Sequence, residues 1–120
     1  MVASVLVAVV DDDASAREAI AGLLRALGHE ALEFTCAADV LAAAELSRLD
    51  WLIADMRMPE TTGLDLHRRL VATGATIPVV LVSAYPHEDL PAQALAAGVR
   101  AFLAKPIEAA TLIELLSAPA

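Results

Sequence analysis

Four aliphatic runs in this 120-residue chain each stop abruptly at a polar side chain. Val5-Leu6-Val7-Ala8-Val9-Val10 runs into Asp11-Asp12-Asp13, and Trp51-Leu52-Ile53-Ala54 runs into Asp55. Ile77-Pro78-Val79-Val80-Leu81-Val82 ends at Ser83, and Ala101-Phe102-Leu103-Ala104 ends at Lys105-Pro106. Runs that are apolar at every position, rather than at alternate ones, belong to strands covered on both faces, as in a parallel sheet. Open α/β sheets place their chemistry beyond the carboxyl ends of the strands, so four polar ends predict one site at one edge. After Asp55, Met56-Arg57-Met58-Pro59 cannot continue a central strand, because proline lacks the N–H that the ladder needs.

Helical patterns fill the intervals. Ser15-Ala16-Arg17-Glu18 reads as a capping box, and Ile20, Leu23, Leu24 and Leu27 recur at helical spacing until Gly28, predicting a helix over 15–27. A short strand over 30–34 precedes an Ala-rich helix over 37–47 with Val40, Leu41 and Leu46 inward. Gly63 opens a helix carrying Leu64, Leu66, Leu70 and Val71, and a helix over 87–97 stops at Gly98. With strands over 4–10, 51–55, 77–82 and 99–104 and a last helix over 107–116, five strands alternate with five helices. Such alternation implies right-handed βαβ crossovers and a doubly wound parallel sheet with helices on both faces. The flavodoxin-like strand order 2-1-3-4-5 would set the first strand beside the third, at the topological switch.

The length suits one domain spanning 1–120. Its apolar runs are too short to span a bilayer, and no basic segment precedes an apolar one as in a secretory signal. The lone Cys36, expected to be a small buried side chain, agrees with a reducing compartment, so the cytoplasm is the expected location. A formal charge of −8 opposes direct contact with nucleic acid, whose phosphates call for Lys and Arg.

Neighbouring strands lie about 5 Å apart, so the carboxylates ending the first and third would share a pocket. Either one takes up a proton, or a hard cation bridges them, and oxygen-only ligands favour Mg²⁺. Asp12 and Asp55 are the expected direct ligands, with Asp11 acting through a water and the backbone carbonyl of Arg57 completing the set. A carboxylate beside such a metal can also attack phosphorus to form an acyl phosphate, and Asp55 is placed for that role. Lys105 and Ser83, at strand ends on the same edge, could neutralise the transferred group. Neither GxGxxG nor GxxxxGK[ST] occurs, which speaks against a bound nucleotide.

Taken together and in order, Val9-Val10-Asp11-Asp12-Asp13, Asp55-Met56-Arg57-Met58-Pro59 with Gly63, Ser83-Ala84, Ala97-Gly98 and Phe102-Leu103-Ala104-Lys105-Pro106 resemble the receiver domain of bacterial two-component response regulators over the whole chain. The resemblance implies that Asp55 accepts a phosphoryl group from a phosphohistidine on a sensor histidine kinase or phosphotransfer protein. It further implies that Asp11 and Asp12 hold Mg²⁺, that Ser83 and Lys105 contact the phosphoryl group, and that Lys105-Pro106 is cis. Phe102 matches the aromatic that turns inward when the hydroxyl residue moves, and the output would be a population shift of the fourth-helix, fifth-strand and fifth-helix face. That face is also a candidate homodimer surface. The protein would be a stand-alone regulator or the receiver of a longer one, such as a transcriptional regulator.

Blander roles compete at several positions. Asp13 reads equally as a solvated charge at a helix N-terminus, His29, His67 and His87 as surface residues, and Trp51 as core or sheet rim. Trp51 lies roughly 13 Å along its strand from Asp55, too far to touch a phosphate. The last helix carries Leu112, Ile113, Leu115 and Leu116, enough for burial or for a partner surface. A Mg²⁺-dependent phosphohydrolase with an aspartyl nucleophile, and a phosphate-independent interaction module, are the rival functions. The hydrolase would want a second acid two residues past Asp55, where Arg57 stands. Glu60-Thr61-Thr62 lacks a turn glycine, which predicts a stiffer or differently shaped loop beside the site. Arg57 and Tyr85 occupy positions where the family tunes water access, and both are bulky. An Arg57→Ala, Tyr85→Ala double variant is therefore expected to lose its phosphoryl group faster than wild type, and slower loss in a dephosphorylation time course would refute that role.

Overall fold

The computed structural model describes residues 4–84 and 90–117. Five parallel strands, β1 (Leu6–Val10), β2 (Glu30–Phe34), β3 (Trp51–Asp55), β4 (Val79–Ser83) and β5 (Ala101–Ala104), lie in the order β2-β1-β3-β4-β5. The expected doubly wound architecture is thus the observed one. Helices α1 (Ala14–Ala26) and α5 (Ala109–Ser117) cover one face, and α2 (Ala37–Leu41), α3 (Gly63–Ala72) and α4 (Leu90–Ala96) cover the other. Because successive strand residues point to opposite faces, Leu6, Ala8 and Val10 enter one core with Leu64, Leu66 and Leu70. Val7 and Val9 enter a second core with Ile20, Leu24, Leu112 and Leu116. The unbroken aliphatic runs follow from this two-sided burial.

Several expectations need correction. Helix α1 begins at Ala14 and is capped by Asp13, whose carboxylate accepts the Ser15 N–H at 3.0 Å, so Ser15 is not the cap. The Ala-rich segment breaks after Leu41, and a 3-10 turn at Leu46–Arg48 follows with Leu46 half-buried against the core. Alanine supplies helix propensity but too little apolar surface to hold a longer helix on the sheet. His29 and His67 are buried, at 9% and 5% exposure. His29 Nδ1 accepts the Val5 N–H at 3.1 Å, and His67 Nε2 donates to the Ala97 carbonyl at 2.9 Å, linking α3 to the end of α4. In both cases the ring satisfies backbone groups that loops leave unpaired. Cys36 is only half-buried, and Val71, on the outer side of α3, is 56% exposed. Trp51 is core. In α5, Leu112 and Leu116 are buried while Ile113 is exposed.

One close approach ties fold to site. A Cβ on Gly63 would stand 2.6 Å from the Asp55 carbonyl oxygen and 2.7 Å from Leu81 Cδ2. The Gly63 N–H meanwhile donates to the Met56 carbonyl at 3.0 Å, closing the loop that follows Asp55. At an open helix start Gly→Ala would stabilise. Here Gly63→Ala is expected to cost about 3 kcal/mol by overpacking, read from urea unfolding, and an unchanged midpoint would show that the contact relaxes freely.

Candidate functional site

The sheet register brings the polar strand ends level. Val10 pairs with Ala54, Asp55 with Val82, and Ser83 with Ala104, so Asp11, Asp55, Ser83 and Lys105 emerge at one edge. Backbone bonds secure each exit: Asp11 N–H to the Phe34 carbonyl, Met56 N–H to that of Val82, and Lys105 N–H to that of Ser83. The Lys105–Pro106 peptide is cis, as the resemblance implied.

Asp11 is almost completely buried and fully engaged. Its Oδ1 accepts the Asp13 N–H at 2.9 Å, and its Oδ2 accepts a hydrogen bond from Lys105 Nζ at 2.7 Å. The same ammonium lies 3.4 Å from Asp55 Oδ1. Asp12 is exposed at the crest of the turn, yet carboxylate oxygens of Asp11, Asp12 and Asp55 all fall within 4.8 Å of one another. Burial and the charge of Asp11 push the Asp55 pKa up, against the opposing pull of Lys105 and the Arg57 N–H. For Lys105, burial alone would lower the pKa, but the Asp11 hydrogen bond and the charges of Asp55 and Asp11 outweigh it and hold the ammonium above the usual lysine value.

Three carboxylates facing one ammonium leave negative charge uncompensated, and every donor is oxygen. The set fits a hard divalent cation, which would relieve the repulsion between the Asp11 and Asp55 carboxylates. Ser83 is buried at the end of β4. Phe102, on β5 beside Leu81, is half-buried and packs against the core on the side of α3 and α4. Arg57 is exposed in the loop after β3, and this loop hands over to α3 at Thr62, whose hydroxyl accepts the Asp65 N–H at 3.0 Å. Tyr85 and His87 lie outside the described residues. Sequence reasoning missed Arg17, whose guanidinium donates to the Asp11 carbonyl at 2.9 Å; only its place one turn into a helix that starts beside the aspartates hinted at it.

Residues 7–117 match the family model described as the response regulator receiver domain, and the chain belongs to that family. Response regulator protein TodT of Pseudomonas putida is 33% identical over 105 residues, covering 88% of this chain and 46% of TodT. Transcriptional regulatory protein FixJ of Azorhizobium caulinodans is 34% identical over 110 residues, covering 92% of this chain and 52% of FixJ. The chain therefore spans about half the length of these curated relatives. A solved response regulator receiver protein from Burkholderia phymatum superposes with a TM-score of 0.78 at 38% identity, covering 98% of each chain. Among the described residues no helix is long and apolar enough to cross a membrane.

The raised Asp55 pKa has a stability consequence. A carboxyl that binds its proton more tightly folded than unfolded costs stability once ionised, and the cost disappears as pH falls through the folded pKa towards the model-peptide value of 3.8. Asp55→Asn removes that cost at neutral pH. Without divalent cations its thermal midpoint is expected to rise; a lower midpoint would mean that the Lys105 contact dominates.

Proposed function

We propose that the protein is a phosphorylation-dependent signalling switch in which Asp55 accepts a phosphoryl group from the phosphohistidine of a sensor histidine kinase or phosphotransfer protein. The convergence of Asp11, Asp12, Asp55, Ser83 and Lys105 at one sheet edge carries this reading. Asp55 attacks phosphorus, a new Oδ–P bond forms as the donor's N–P bond breaks, and the donor imidazole leaves. Lys105 pairs with the phosphoryl oxygens, and the Ser83 hydroxyl donates to one of them. Asp11, Asp12, Asp55 and the Arg57 carbonyl are the proposed holders of Mg²⁺, which when bound neutralises charge on the transferring group. The engagement of both Asp11 oxygens supports the view that Asp11 acts on the metal through water.

The switch performs no metabolic reaction beyond gaining and losing its own phosphoryl group. Hydrolysis of the acyl phosphate is slowed by Arg57 and Tyr85. Phosphorylation draws Ser83 towards the phosphate, lets Phe102 turn further inward, and shifts the population of the face formed by α4, β5 and α5, which also serves as a homodimer surface. The switch acts in the cytoplasm with its kinase, stand-alone or, by likeness to the transcriptional regulatory protein FixJ, as the receiver of a transcriptional regulator, without itself contacting nucleic acid.

Intact mass after incubation with Mg²⁺ and a small-molecule phosphodonor tests the proposal. One phosphoryl group should appear on wild type and none on Asp55→Asn or on wild type in excess chelator. Absence of an adduct in a folded, Mg²⁺-binding protein would favour a phosphate-independent module, and donor turnover without an adduct would favour a hydrolase.

A further inference from the structure

The turn between β1 and α1 is held from both ends by one residue. The backbone N–H of Arg17 donates to the Asp13 carbonyl at 3.0 Å, forming the first hydrogen bond of α1. Its side chain turns back towards the strand, where Nη1 donates to the Asp11 carbonyl at 2.9 Å and Nε reaches Glu33 Oε1 on β2 at 3.3 Å. Glu33 is itself held by Arg25 at 3.2 Å, and Arg25 Nη2 donates to the Ala31 carbonyl at 2.9 Å. The Arg17 side chain is only 14% exposed, so this is a packed brace rather than a loose surface pair. It crosses from α1 to the end of β1 and on to β2, and Asp12 sits at the crest of the turn it spans.

We infer that Arg17, clamped by Glu33, is a positioning residue that fixes the β1–α1 turn so that the Asp11 and Asp12 carboxylates point at the shared pocket. The inference rests on the Mg²⁺ reading of that pocket. Two acceptors on different elements are met at once by the Nε–H and Nη1–H groups of one rigid guanidinium plane, which a lysine cannot reproduce. Charge and position make opposite predictions. As a bare positive charge beside the Asp11 backbone, Arg17 would repel a cation held there, and neutralising it would tighten binding. As a brace it must weaken binding when removed, by roughly tenfold or more if it behaves as other outer-shell partners do.

Calorimetric titration with MgCl₂ of wild type, Arg17→Gln and Arg17→Lys separates these outcomes, with circular dichroism melts to establish folding and amide exchange at the Asp13 N–H to report the turn without metal. Both variants should bind Mg²⁺ roughly tenfold more weakly and exchange the Asp13 amide faster. Equal or tighter binding by Arg17→Gln, or full retention by Arg17→Lys, would overturn the inference. If wild type itself binds no Mg²⁺, the metal reading fails. In that case unchanged Asp13 exchange in the variants would separately reject the brace, and faster exchange would uphold it. Should Arg17→Gln fail to fold, Glu33→Ala, which removes the acceptor of the Arg17 Nε–H, is expected to show the same directions.

Discussion

Beside β1, strand β3 has nowhere else to put its last residue: Val10 is level with Ala54, so the carboxylates that follow are brought together by the hydrogen-bond ladder itself. Sliding the register by one residue would exchange every side chain between the two cores, whose packing is matched to the present one. Packing energy spread over both faces of the sheet thus holds a local charge arrangement that would otherwise disperse. Lys105, 94 residues from Asp11, supplies the cation that makes the arrangement tolerable. No short segment of the chain can carry this site, because its negative and positive members meet only when β1, β3 and β5 have all joined the sheet.

Much of this is legible in the sequence. Aliphatic runs without alternation gave the strands, their polar ends gave the edge where chemistry sits, and the intervals between them gave the crossover helices. What escaped were choices between equally good local options. Asp13 and Ser15 are both fitting caps, and the decision fell to the turn, in which Asp11 takes the Asp13 N–H and brings the helix start forward. The break after Leu41 escaped because alanines satisfy a helical pattern without supplying the contacts that hold a helix down. His67 has the charged neighbours Arg68 and Arg69, but its spacing of three from both Leu64 and Leu70 places it on the inner side of α3. His29 carried no periodic signal, since its burial depends on the Val5 N–H needing an acceptor.

The adjacent aspartates of the β1–α1 turn divide the labour. Asp11 spends its oxygens on the Asp13 N–H and on Lys105, and so serves as the anchor of the turn. Asp12, carried by that anchored backbone, stays exposed. Rigidity in one residue leaves its neighbour open on a backbone that is itself fixed.

Trp51 lies at the opposite end of β3 from Asp55, buried, with the Arg100 guanidinium carbon 5.4 Å from its ring centroid. It is the only tryptophan in the chain. Its emission is therefore an optical gauge with a fixed address, about 13 Å along the strand from Asp55 and out of contact with the acidic edge. If Asp55 is phosphorylated as proposed, any change in the emission's intensity or colour must be transmitted through the sheet, and the spectrum separates transmission from contact without a label.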